Sequence, residues 1–208
     1  MSQCKERILE ISKKYGLSHI GSCVSVLPIL EEIYQSKKPE DKVVLDNAHA
    51  HLAHMCVREA YEGYTGTEEH TQKDIHCNRE AGCDASGGSL GHGIGIGIGM
   101  ALANRDRDVH VIVSDGGAQE GSFFESLRIA SELELNNLKI HLNCNGYGAY
   151  KEIPTVDLEK QISGFNFPIK VWRTNSNIGS IKGLNSHYQT LNENTYREAI
   201  GSIIQGEG

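Results

Sequence analysis

The chain has no run of about 18 apolar residues, the length a helix needs to cross a bilayer, so no helical membrane span is expected. It also lacks a basic excess: 20 Lys and Arg stand against 27 Asp and Glu, for a net charge of −7. That argues against a nucleic-acid partner, which needs a basic face. A local basic pocket for a small anion stays compatible with it. No CxxC pair occurs among Cys4, Cys23, Cys56, Cys77, Cys83 and Cys144. Neither a disulfide framework nor a zinc site is expected, and a reduced, cytoplasmic chain is. The start, MSQCKERILEISKKYG, alternates charges and has no apolar core of a secretory signal. Internal repeats are absent, and the one biased tract is a glycine run at 91–99.

What is present fits one α/β domain, because 208 residues can bury a real core. The expected division within 1–208 is N-terminal helices over 1–40, an α/β core over 41–173 and a shortened connector with a terminal helix over 174–208. Ser2 is a candidate cap for a helix over 3–15, with Ile8, Leu9 and Ile11 on its apolar side. A second helix is expected over 25–37, with Pro28 tolerable only in its first turn. KVVLD (42–46), DVHVIVSD (108–115), NLKIHLNCNG (137–146) and PIKVWRT (168–174) read as strands. Helices are expected over 49–61, over 120–135 with Phe124, Leu127, Ile129, Ala130 and Leu133 on one face, and over 192–204 with Asn194 as cap. Residues 68–88 show no period and read as loop, as does the polar stretch 174–187. Strand, helix and strand joined by short turns make βαβ units. The expected fold is therefore α/β: a parallel sheet flanked by helices, with ligands at the carboxyl ends of the strands.

The glycine run, SLGHGIGIGIGMALA over 89–103, needs its own account. The dinucleotide pattern G-x-G-x-x-G fails in every frame, and no good strand precedes the run. A strand would be weakened by so many glycines. A helix pairs Gly93 with Gly97 and Gly95 with Gly99, giving two flat stripes where another backbone can approach. Interior glycines cost about 1 kcal/mol each against alanine. Close packing, inside the domain or against another subunit, must offset that cost.

Asp115 and Asn145 carry the most chemistry. Each closes an apolar strand and is followed by glycine. Two adjacent parallel strands would bring them side by side, able to share one hard cation through oxygen, with the Tyr147 carbonyl as a third ligand. Gly116 would let a backbone N–H approach a phosphate, favoured by the start of a following helix. The plain alternative is that Asp-Gly and Asn-Gly after strands are ordinary turns. His19, His49, His76 and His187 lie in polar or glycine-bearing contexts, which suits an anionic, proton-handling ligand.

Taken together, these stretches resemble the amino-terminal, diphosphate-binding half of transketolase, a thiamine-diphosphate enzyme. LSHIGSCVS (17–25) is similar to that family's G-H-x-G stretch, and LDNAHAHLAHM (45–55) to its S-x-G-H-A stretch. GCDASGGSLGHGIGIGIGMALA (82–103) resembles G-V-x-x-x-T-G-S-L-G-Q-G and a glycine-bearing helix. SDGGAQEGSFFES (114–126) resembles G-D-G-x-x-Q-E-G, NCNGYG (143–148) supplies the distal asparagine, and HYQTLNENTYREAI (187–200) resembles the terminal motif. The resemblance implies a thiamine-diphosphate-binding domain of the diphosphate-binding type. It implies that Asp115, Asn145 and the Tyr147 carbonyl hold Mg²⁺ (or Ca²⁺), and that Gly116, His49 and His187 contact the diphosphate alongside Asn145. Gly88 and Leu90 would meet the aminopyrimidine through backbone. His19 and His76 would face the substrate, and Glu120 would sit at a subunit interface beneath the cofactor.

The resemblance also implies a missing part. The family's activating glutamate, and most of its sugar-phosphate arginines, belong to a second, pyrimidine-binding domain. A partner chain supplying that domain is expected, in an α₂β₂ heterotetramer that moves a two-carbon ketol unit between sugar phosphates in the pentose phosphate pathway. Ala48, Cys77, His92 and Ser114 depart from the family's pattern without removing an implied ligand. Only 42 positions separate Asn145 from His187, short for the family's connector, so the reach of His187 to the diphosphate is open. A related thiamine-diphosphate enzyme with another ketol substrate, and a non-catalytic regulatory protein keeping the fold, remain the alternatives.

Overall fold

A computed structural model describes residues 2–204. In chain order the elements are α1 (Ser2–Tyr15), α2 (Ile20–Ser36), β1 (Lys42–Leu45), α3 (His51–Glu62), α4 (Thr67–Lys73), α5 (Gly93–Ala103) and β2 (Val109–Ser114). There follow α6 (Gly121–Glu132), β3 (Leu138–Cys144), α7 (Thr155–Ile162), β4 (Ile169–Arg173), α8 (Asn185–Tyr188) and α9 (Glu193–Ile204). They group into two compact units. Among the described residues, one comprises 2–35, 49–76 and 174–204, the other 36–48 and 77–173.

The second unit holds the sheet. Its four strands lie in the order β1-β2-β3-β4, all parallel, as the α/β reading expects. Each strand falls within the stretch expected for it. Val109, Val111 and Val113 of β2 and Leu138, Ile140 and Leu142 of β3 point to one face, where they are buried against Ile94, Phe123, Leu127 and Leu158. The alternate residues His110, Ile112 and Ser114 of β2 and His141 and Asn143 of β3 belong to the other face. Period-two alternation puts successive side chains on opposite faces.

Helix α5 forms as expected, and its two glycine stripes differ. A Cβ on Gly93 would lie 2.6 Å from Asp46 Cα, and one on Gly97 would overlap Val111 Cγ2. These glycines let the helix rest directly on β1 and β2. A Cβ on Gly95 or Gly99 would meet nothing among the described residues.

The first unit is helical. Ile8, Leu9 and Ile11 of α1 are fully buried, and α1 packs on α3 and α9. Helix α1 includes Ser2, whose side chain lies outside the described residues. Helix α2 starts at Ile20, so Pro28 sits in its interior. The one ladder bond a proline removes is outweighed by a long buried face, including Ile20, Leu27, Ile29, Leu30 and Ile33. Residues 68–88 are not all loop. Helix α4 buries Thr67 and Thr71, and Glu69 pairs with Lys73 at 2.6 Å one turn on. Its Glu68 receives Arg7 at 2.9 Å and Lys14 at 2.6 Å from α1.

Helix α7 lies where no element is predicted, and α8 overlaps the end of the 174–187 stretch expected as loop. In α6 the fully buried aromatic is Phe123, with Phe124 only partly buried and Leu133 exposed. Helix α9 is capped by Asn192 instead of Asn194: its Oδ1 accepts from Asn194 N–H at 2.9 Å and Thr195 N–H at 3.0 Å. Among the described residues no helix is long and apolar enough to cross a membrane.

Candidate functional site

In the sheet unit the register Ser114↔Asn143 brings the ends of β2 and β3 level, so Asp115 and Asn145 emerge side by side. Asp115 is fully buried. Its Oδ2 accepts the N–H of Asn145 at 2.8 Å and of Gly146 at 3.3 Å. Gly146 has φ +89°, a left-handed turn that brings its N–H onto the carboxylate. Oδ1 is equally buried and has no hydrogen-bond partner among the described residues. Burial pushes the carboxyl up to about 7, against the pull of the two N–H donors. The Asn145 side-chain oxygen accepts the Tyr147 N–H at 3.0 Å, which holds the amide within the same turn. The buried Asp115 oxygen without a donor, in a turn that also carries the Asn145 side-chain oxygen, offers hard oxygen ligands of the kind a divalent cation takes.

Gly116 follows in a helical conformation, and a Cβ there would lie 3.0 Å from Leu90 Cδ1 and 3.7 Å from the Ala149 nitrogen. The glycine keeps this approach open, next to Leu90. The expected helix start is displaced: a short 3-10 turn, Gly117–Gln119, comes first, and α6 begins at Gly121. Glu120 is exposed at the head of α6, and Gly88 is exposed in the loop before α5.

Asp46, at the end of β1, was not singled out from the sequence. Its buried carboxylate accepts Gly91 N–H at 2.9 Å and Gly93 N–H at 2.7 Å. It ties the glycine loop to the sheet. The only available signal was its place at the carboxyl end of a strand.

The helical unit gathers the histidines. The rings of His19 and His49 lie 4.9 Å apart, centroid to centroid. His19 N–H donates to the His187 carbonyl at 2.7 Å, so the connector does bring His187 to this cluster. Ser18 Oγ lies 2.8 Å from His19 Nδ1, and Ser22 Oγ 2.7 Å from His187 Nδ1. His76 is more exposed and lies 3.3 Å from Asp74. His19 has φ +61°, a left-handed conformation that costs a β-carbon residue on the order of 1 kcal/mol. Burial first, and repulsion from neighbouring rings second, lowers the pKa of His19, takes His49 down to about 3 and His187 down to about 4. The three rings are neutral at pH 7, each with one donor and one acceptor nitrogen.

Residues 67–178, more than half of the chain, match the family model for the thiamine pyrophosphate enzyme, C-terminal TPP binding domain. The chain belongs to that family. Solved structures with the same fold include transketolase from Leishmania mexicana, 16% identical with a TM-score of 0.66, over 99% of this chain and 45% of that one. Transketolase from Campylobacter jejuni subsp. jejuni NCTC 11168 is 16% identical with a TM-score of 0.72, over 97% of this chain and 42% of that one. The chain thus spans less than half the length of these transketolases. No curated protein matches by sequence.

This thiamine pyrophosphate enzyme domain takes thiamine diphosphate as its cofactor. The matched span includes Asp115, Asn145, Gly116, Leu90 and His76, and excludes His19, His49 and His187.

Proposed function

We propose that this chain is the diphosphate-binding subunit of a two-chain transketolase, which transfers a two-carbon ketol unit from a ketose phosphate to an aldose phosphate. The observation that carries the reading is Asp115. A fully buried carboxylate with one oxygen lacking a donor is costly. In a thiamine-diphosphate domain its natural complement is the cation that accompanies the diphosphate. Asp115, the Asn145 side-chain oxygen and the Tyr147 carbonyl would hold Mg²⁺ or Ca²⁺, with phosphate oxygens completing the shell.

Gly116, His49 and His187 would contact the diphosphate, and Gly88 and Leu90 would meet the aminopyrimidine through backbone. When bound, the cofactor supplies the electron sink for breaking a carbon–carbon bond beside a carbonyl. The residues of this chain bind, orient and move protons. His19 and His76 would face the sugar. Their imidazoles would exchange protons with its hydroxyls and stabilise charge on its oxygen. The strain at His19 is consistent with a ring placed for function at a structural cost.

One observation supports a partner chain. The Gly95–Gly99 stripe of α5 is open, with Ile96 and Leu102 exposed beside it. Glycines that cost helix stability and meet nothing among the described residues fit an interface with another chain. The partner would supply the pyrimidine-binding domain and its activating glutamate, in a cytoplasmic α₂β₂ assembly working in the pentose phosphate pathway.

The test is co-expression with a pyrimidine-domain chain, followed by assay of two-carbon transfer with Mg²⁺ and thiamine diphosphate. Turnover by the complex, loss in Asp115→Ala and inactivity of either chain alone are expected. Enzyme-like turnover by this chain alone would refute the two-chain arrangement. A complex that retains cofactor but turns over no sugar phosphate would refute the substrate class.

A further inference from the structure

We propose that Ser22 is a positioning residue that fixes the ring tautomer of His187, so that His187 presents Nε2–H to an anionic ligand. The inference rests on the reading of His187 as a diphosphate contact and goes beyond it by naming what aims the ring. Ser22 Oγ and His187 Nδ1 are 2.7 Å apart and both residues are buried, although 165 positions separate them in sequence. The backbone around the pair is built for this approach. Gly21, adjacent to Ser22, has no room for a side chain: a Cβ there would lie 2.6 Å from Ser186 Cβ and 2.9 Å from the Ser176 carbonyl. On the other side His19 N–H grips the His187 carbonyl at 2.7 Å.

A neutral imidazole carries one ring proton, and the hydrogen bond at one nitrogen decides where it sits. A hydroxyl that donates to Nδ1 puts the proton on Nε2. The ring then offers a hydrogen-bond donor on its far side without carrying a charge. A serine whose hydroxyl accepts from Nδ1–H would leave Nε2 as a bare lone pair, which repels an anion. An anion-binding histidine therefore needs the first arrangement, and Ser22 Oγ, which can donate or accept, is the group in position to donate to Nδ1.

Two measurements on the full chain test this. Long-range proton–nitrogen correlation spectra of the histidine-labelled protein report the tautomer directly, with no substitution needed. The expected result is Nε2–H at His187 in the wild type, a mixed population in Ser22→Ala and recovery in Ser22→Thr. An Nδ1–H ring in the wild type overturns the proposal. Thiamine diphosphate binding with Mg²⁺ is then measured calorimetrically in wild type, Ser22→Ala, His187→Ala and the double variant, each assembled with the pyrimidine-domain chain. Ser22→Ala should weaken binding about threefold to tenfold, the range set by one hydrogen bond. It should have no further effect once His187 is gone. An equal loss in both backgrounds, or none in either, overturns the positioning role. A wild type that shows the Nε2–H ring and binds no thiamine diphosphate overturns the cofactor reading of His187 and leaves the hold of Ser22 on the ring supported.

Discussion

Replacing Asp115 by asparagine should stabilise the metal-free protein at neutral pH, although it destroys the proposed cation site. In the folded chain, burial raises the Asp115 carboxyl from an ordinary 3.8 to about 7. Below pH 3.8 the folded and unfolded chains both hold this proton. Between 3.8 and 7 the folded chain keeps it while the unfolded chain releases it. Folded stability due to this group therefore falls as pH rises through that window, and is lowest above 7. A shift of about three pH units corresponds to about 4 kcal/mol. Asparagine keeps one oxygen for the Asn145 and Gly146 N–H groups and removes the charge.

The assay is urea unfolding with a chelator present, followed by the fluorescence of Trp172, the single tryptophan, which lies on β4 of the same unit. The difference between Asp115→Asn and wild type should grow by up to about 4 kcal/mol from pH 4 to pH 8. Contributions from the histidines are common to both proteins and cancel. Mg²⁺ with thiamine diphosphate should then stabilise the wild type and leave the variant unchanged. A pH-independent difference between the two proteins would refute the account of a costly buried carboxylate.

The glycines of α5 should divide by stripe. Gly97→Ala should destabilise by about 1–3 kcal/mol because its Cβ runs into Val111 in the core, measured by the same unfolding curves. Gly95→Ala and Gly99→Ala should stabilise the isolated chain by about 0.5–1 kcal/mol each. They should also weaken assembly with the partner in analytical ultracentrifugation. No effect on assembly would remove the interface role of that stripe. Asp46→Ala should expose the loop before α5 to hydrogen exchange, since Gly91 and Gly93 lose their acceptor. For the histidines the pH direction is opposite to that of Asp115. His49 at about 3, His187 at about 4 and His141 at about 3 remain neutral in the folded chain while unfolded histidine protonates near 6.5. Stability from these rings is complete above 6.5 and is lost as pH falls toward 4, so Asp115→Asn should melt progressively lower from pH 7 to pH 4.

The sheet was legible because its strands are short, β-branched and closed by turn residues. Asp-Gly after β2 and Asn-Gly after β3 also marked the places where the candidate ligands stand, and the parallel register did the rest. Helices α4 and α7 escaped because their buried faces are small. Thr67 and Thr71 carry no hydrophobic signal, and Leu158 and Ile162 are a single pair four residues apart. The length of the 145–187 connector suggested a site that His187 could fail to reach. Ile178 and Ile181 bridge to each other and are buried, so this segment is compact and delivers His187 to Ser22 and His19. Asp46 and Ser22 were invisible because their importance lies in the partners that folding brings to them. An acceptor for two loop N–H groups, and a hydroxyl meeting a ring 165 positions away, leave no mark in local sequence.

The central claim is that Asp115 anchors a cation that holds the diphosphate. Its most direct test is paramagnetic: Mn²⁺ binding, followed by electron spin resonance with and without thiamine diphosphate, in wild type and Asp115→Ala. The account predicts tight Mn²⁺ binding that requires the cofactor in the wild type and disappears in Asp115→Ala. Cofactor-dependent Mn²⁺ binding of equal strength in both proteins would contradict it.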